Sequence, residues 1–192
     1  GEVIQAWIGI IVQNMDESLA RYLKVPGNRG IVVKTVESKS PAIKAGIQES
    51  DIILSIGNKK IDSIDDYKSV TKSIAAGDTV HAQFWRNGKK QTVVIETTVY
   101  PLEMAEELAF RLLGIKVEDL TKKKRNAYRI YAREGVVISK IKKNSYLDQI
   151  GAQPGDVIRQ IDDFTIQTNK DFKKAIIKSR RKNSIVLLLQ RG

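Results

Sequence analysis

Trp7-Ile8-Gly9-Ile10-Ile11-Val12 is echoed 105 residues later by Leu113-Gly114-Ile115-Lys116-Val117. Each is a short aliphatic run with one glycine at its entry. At the same offset Gly30 falls on Gly135, Ser40 on Ser145, Gly46 on Gly151, Asp51 on Asp156, Ile56 on Ile161 and Ile61 on Ile166. Tyr67 meets Phe172, and the register then slips by one so that Gly88 meets Gly192. A period this long is too great for a solenoid and fits two copies of one small domain. We expect a first domain over 1–98 and a second over 99–192.

Within each copy the signals follow one order. Ile31 to Val36, Asp51 to Ile56 and Lys59 to Ile61 read as strands. Ser40-Pro41 reads as an N-cap followed by proline at the first helical position, with Gly46 suited to the end of that short helix. Asn14 and Glu17 have capping-box spacing ahead of Leu19 and Leu23. Asp65 to Ile74 has helical periodicity. Asn87-Gly88 between Val80–Arg86 and Gln91–Val99 signals a hairpin. The fold class is α+β: two domains, each a small β-sandwich or partly open barrel of five or six strands with two helices. Pro101 to Leu112 reads as a helix. It either sets the range of orientations of the two copies or belongs to the second copy alone.

The 192 residues hold 33 basic and 22 acidic side chains, one histidine and no cysteine. A disulfide framework, thiolate metal sites and cysteine catalysis are thereby excluded. Residues 1–96 carry 13 basic and 11 acidic side chains, and residues 97–192 carry 20 and 11. The basic runs Lys122-Lys123-Lys124-Arg125, near Tyr128 and Tyr131, and Arg180-Arg181-Lys182 match no nucleic-acid-binding motif. They read as solvated faces, and no nucleic-acid partner is assigned. No run is long enough to span a membrane. His81 sits alone in a strand, and Ser69/Lys72 have S-x-x-K spacing without partner motifs. No Gly-x-Ser-x-Gly elbow, metal-ligand motif or phosphate loop occurs. Catalytic residues, metals and cofactors are accordingly assigned as none. Asp162/Asp163 and Asp62/Asp65 read as solvated or capping.

A glycine between aliphatics lets successive amide N–H groups converge on an anion without a Cβ in the way. The following strand can offer a free edge to an added strand. The candidate peptide-binding residues of the first copy are Ile8, Gly9, Ile10, Ile11 and Val12, with Tyr67, Val70 and Thr71 on the facing helix. In the second copy they are Leu113, Gly114, Ile115, Lys116 and Val117, with Phe172, Ala175 and Ile176. The same aliphatics would serve equally as core. Arg111 is placed to assist with a carboxylate. The charge of the second half suggests acidic residues in its ligand, and Tyr146 or Leu147 is expected to obstruct its pocket in part.

Taken together, Φ-Gly-Φ, Ser40-Pro41-Ala42, Ala45-Gly46 and Asp51-Ile52-Ile53 resemble the PDZ domain of HtrA/Do-family serine proteases. The second copy repeats the pattern with Ser145, Gly151 and Pro154-Gly155-Asp156-Val157-Ile158. It departs from it at Tyr146-Leu147 and Ile150, as the first copy does at Ser50. The resemblance implies tandem C-terminal PDZ domains of an envelope serine endopeptidase. They would bind unfolded or C-terminal protein segments in the bacterial periplasm, in protein quality control, beside an upstream protease domain. Whether a protease domain precedes the chain, and whether a full-length protein forms a homo-oligomer, stay open. With no nucleophile segment present, the chain is expected to be inactive alone. The alternative is a stand-alone tandem-PDZ scaffold or adaptor.

Overall fold

A computed structural model describes residues 4–27 and 29–192. The chain divides into two compact units, 1–100 and 101–192.

Unit 1 contains the strands β1 (Ile10–Asn14), β2 (Ile31–Val36), β3 (Ile52–Ile56), β4 (Lys59–Lys60), β5 (Thr79–Arg86) and β6 (Lys89–Glu96), with helices α1 (Glu17–Tyr22), α2 (Pro41–Lys44) and α3 (Ile64–Lys72). Its antiparallel sheet runs β1-β2-β3-β5-β6, with β4 on β3. Unit 2 contains α4 (Ala105–Leu113), preceded by a 3-10 turn at Leu102–Met104, then β7 (Ile115–Asp119), α5 (Lys122–Tyr128), β8 (Val136–Ile141), α6 (Tyr146–Gln149), β9 (Val157–Ile161), β10 (Phe164–Thr165), α7 (Asn169–Ser179) and β11 (Leu187–Gln190). Its sheet runs β10-β9-β8-β7, with β11 on β9. Neither sheet closes on itself, and each unit has more than two helices. The helix read over 101–112 starts later, at Ala105, and lies within unit 2.

Local chemistry explains most boundaries. Ser40 and Ser145 cap α2 and α6 by accepting from Ile43 N–H and Asp148 N–H at 3.2 and 3.3 Å. Thr168 and Asp171 form a reciprocal capping box on α7. The capping box read at Asn14 and Glu17 does not form. Asp16 caps α1 instead, and the Asn14 carboxamide accepts from Ile64 N–H at 2.9 Å. Asn14 thus joins the far end of β1 to the start of α3. The Lys122–Arg125 run, read as a solvated face, forms α5 behind a Thr121 cap.

The core of unit 1 is built from Ile8, Ile31, Val33, Ile53, Ile56, Ile61, Phe84 and Ile95, all at most 2% exposed. Each unit carries the same ion pair, a buried carboxylate held by an arginine that stays partly exposed. Arg86 donates to both Asp51 carboxylate oxygens at 2.6 Å and to Gly46 O at 2.7 Å. Arg191 donates to Asp156 at 2.7 and 2.8 Å and to Gly151 O at 2.8 Å. The bidentate fork is the geometry in which Arg–carboxylate pairing is strongest. It holds the Asp156 carboxyl below its usual range, and Gln153 N–H adds to the effect.

Asp162, read as solvated or capping, is a tie-point. It accepts from Lys182 Nζ at 2.8 Å, Val186 N–H at 2.9 Å and Ser179 Oγ at 2.7 Å, and so fixes the connection between α7 and β11. The Lys182 ammonium, the Val186 amide and the Ser179 hydroxyl lower its pKa to about 2. An ordinary Asp titrates near ~3.9 when unfolded. Its stabilising contribution is therefore complete above about pH 4 and lost as pH falls toward about 2. Asp162→Asn should lower the melting temperature of unit 2 at pH 7, and the deficit should shrink as pH approaches 2. Scanning calorimetry across that range checks this; a deficit unchanged at low pH would remove the tie-point role.

Candidate functional site

The site in unit 1 is built by the path of residues 4–12. The chain enters extended. Ala6 N–H donates to Ile74 O at 3.2 Å and Trp7 N–H to Thr98 O at 2.6 Å. Gly9 then turns it into β1 with φ at +86°. Carbonyls in this turn point into the domain: Ile8 O accepts from Ala42 N–H at 2.9 Å and Gly9 O from Glu37 N–H at 2.8 Å. The N–H groups do the opposite. Among the described residues no carbonyl accepts from Ile8 or Gly9 N–H. Two adjacent unengaged amides at the mouth of a strand are a ready anion cradle.

Glycine is required at the turn for two reasons. Its φ lies where L side chains are strained, and a Cβ there would overlap Ser40 Cβ and crowd its Oγ at 2.7 Å. Gly114 repeats both features, with φ at +70° and Ser145 Cβ 2.7 Å from the added atom. Trp7 frames the cradle. Its indole N–H donates to Glu37 at 2.7 Å, and its ring packs against Tyr100 at 5.1 Å.

Beyond the cradle, β1 pairs with β2 alone and is the edge of its sheet. A bulge at Ile11/Val12 twists it, and the repeat has its bulge at Lys116/Val117. α3 packs alongside β1. Ile10, Val12 and Tyr67 are half-buried, each resting on the core with part of its surface open. Ile11 is also half-buried, whereas Val70 and Thr71 belong to the interior. The Thr71 hydroxyl bonds back to Tyr67 O at 2.8 Å, which leaves Tyr67 as the helix residue at the groove.

Unit 2 differs at the same place because a helix, not an extended segment, delivers the chain to Gly114. Gly114 N–H donates to Phe110 O at 2.9 Å, closing α4, and Leu113 lies in the helix's last turn, where the i→i−4 pattern engages its amide. Gly114 O still accepts from Lys142 N–H at 2.7 Å, as its counterpart does. β7 is an edge strand like β1. α4 packs on both α7 and β7, burying Ala105, Leu108 and Ala109.

Several expected pocket residues are buried. Ile115 and Ile176 are fully buried and Ala175 nearly so. Phe172 is buried too, at the floor of a groove of about 630 Å3 that also borders Glu103, Glu106, Glu107, Lys116 and Val117. Arg111 does not reach that groove. It lines a separate cavity of about 850 Å3 beside Tyr146, Leu147 and the approach to β11. Leu113 and Gly114 border that same cavity, so Arg111, Tyr146 and Leu147 share it with the glycine turn. His81 is an exposed strand residue opposite Val94.

A family model described as PDZ domain matches residues 6–97 and again 112–192. The chain belongs to the PDZ domain family. Its two domains are called PDZ1 and PDZ2 below. A probable periplasmic serine endoprotease DegP-like of Pseudomonas putida (strain GB-1) is 29% identical over 195 residues, covering 97% of this chain and 40% of that relative. The periplasmic serine endoprotease DegP of Salmonella typhimurium (strain LT2) is 28% identical over 192 residues, covering all of this chain and 38% of its own length. The chain thus spans about two fifths of the curated relatives it matches. Among solved structures, that titled "HtrA-type protease AlgW with decapeptide" aligns with 26% identity and a TM-score of 0.47 over 51% of this chain and 30% of its own.

Gly9→Ala in PDZ1 should be far more damaging than Gly46→Ala. Both glycines have positive φ, but Gly46 has no atom within 4 Å of an added Cβ. We expect about 1–2 kcal/mol for Gly46→Ala from backbone strain alone. For Gly9→Ala we expect more than about 3 kcal/mol, because the Ser40 cap must move as well. Calorimetric unfolding separates the two; equal losses would show that Ser40 yields freely.

Proposed function

We propose that this chain is the peptide-binding, regulatory region of an HtrA-type serine endoprotease of the bacterial periplasm or envelope. PDZ1 holds the C-terminal end of a polypeptide. The terminal carboxylate sits on the unengaged N–H groups of Ile8 and Gly9, and the segment before it adds as a strand to the edge formed by Ile10, Ile11 and Val12. The last side chain rests among Ile10, Val12 and Tyr67, with Val70 and Thr71 backing the helix. An aliphatic end residue suits that lining, since no histidine is present on α3 to read a hydroxyl. The observation that carries the reading is the pair of unengaged amides at the head of an open sheet edge.

The match to DegP-like endoproteases over nearly the whole chain supports the assignment to that setting. Catalysis would then reside in the part of such proteins that this chain does not match. Holding a substrate on a PDZ domain raises its effective concentration at a linked protease. The partners follow: unfolded or C-terminal protein segments, and a protease domain in the same polypeptide.

A peptide ending in Val with a free carboxylate should bind the chain at least tenfold more tightly than its C-terminal amide. The anion interacts with the two N–H groups far more strongly than a neutral amide can. Isothermal titration calorimetry measures the ratio. Equal affinities would remove the carboxylate cradle.

A further inference from the structure

PDZ2 has a free strand edge without a free cradle. The amide of Gly114 closes α4 on Phe110 O at 2.9 Å. An incoming carboxylate would therefore have to break the end of a helix that is buried against α7 and β7. Near that end the Lys116 ammonium lies 5.9 Å from the centre of the Phe110 ring, reaching from strand to helix. Farther along, the edge stays open. The groove of about 630 Å3 follows β7 with α4 as its opposite wall.

That wall is acidic. Glu103, Glu106 and Glu107 all face the groove, and Glu118 borders it on the strand side. Glu106 is held by Lys173 at 2.9 Å, and Glu118 pairs with Lys124. Among the described residues Glu103 and Glu107 form no ion pair. On the other side, Lys116 is drawn onto Phe110, and Lys140 lies on β8. The large positive charge of the second half lies elsewhere: Lys122, Lys123, Lys124 and Arg125 on α5, with Arg129 and Arg133 beyond it.

Resting on the strand-addition reading above, we infer that the PDZ2 groove takes an internal extended segment with Lys or Arg directed at α4, and reads no terminal carboxylate. Strand addition needs only the backbone groups of the edge. The five residues of β7, at about 3.4 Å each, admit a segment of roughly five residues. Cationic side chains on it would meet Glu103 and Glu107, while an anionic end would be repelled by them. The two domains would then divide the recognition of one polypeptide, PDZ1 taking its tail and PDZ2 a stretch within it.

The test uses the 15N-labelled full chain and an acetylated decapeptide of alternating Val and Lys, made with a free carboxylate and as the amide. A Val/Glu amide serves as the charge control. The backbone amides of Lys116 to Glu118 should shift with both Val/Lys forms, with dissociation constants within twofold of each other, and should respond more weakly to Val/Glu. Glu103→Gln combined with Glu107→Gln should weaken the Val/Lys amide about tenfold, with the α4 amide signals unchanged as the check on folding. The inference is overturned if the amide binds tenfold more weakly than the acid at these residues. Tighter binding of Val/Glu there would overturn it too. So would silence at PDZ2 while Ile10 to Val12 respond to a peptide with a free aliphatic C-terminus. Failure of Ile10 to Val12 to distinguish that peptide from its amide would sink the PDZ1 reading instead.

Discussion

Everything in these domains hangs on a glycine held in the left-handed region with a serine pressed against it. Gly9 and Gly114 cannot carry a side chain, because the serines that cap α2 and α6 occupy the space where one would go. The contact sets the direction in which the chain leaves the turn. It turns the Gly9 and Gly114 carbonyls inward, onto Glu37 N–H and Lys142 N–H. What remains for function is decided by the amides, and those depend on how the chain arrives.

The two copies arrive differently. A strand engages its amides by partners on alternate sides, so the last residues before the turn can be left without an acceptor. A helix engages every amide beyond its first turn. Replacing the extended entering segment of PDZ1 by α4 in PDZ2 therefore changes the chemistry of the cradle with almost no change in the loop itself. Leu113-Gly114-Ile115 is as good a match to the motif as Ile8-Gly9-Ile10, yet its donors point at its own carbonyls. Motif identity does not guarantee site identity when the groups that act belong to the backbone.

This also explains what could be read from residues alone. The 105-residue repeat, the glycine-hinged edge strands and the helix before Gly114 were legible, because each is a local pattern with a local cause. The partner of Asp51 and Asp156 was not. Arg86 and Arg191 lie 35 residues away, and nothing in their neighbourhood marks them. Asn14 looked like a cap for the next helix and serves a helix 50 residues on, since β1 runs past the start of α3. The helix before Gly114 could be read from its residues, but not that it packs against α7 and β7. Ala175, Ile176 and Ile115 lie in the interior, the first two just as Val70 and Thr71 do in PDZ1.

The indole of Trp7 edges the cradle, 3.2 Å from where a Gly9 Cβ would stand, and is pinned by Glu37. The chain has only two tryptophans, and the other, Trp85, lies on β5 of the same domain. Tryptophan emission is therefore a private channel of the first domain. A ligand that disturbs the Trp7–Glu37 bond announces itself optically, while whatever settles in the second domain leaves no tryptophan of its own to perturb.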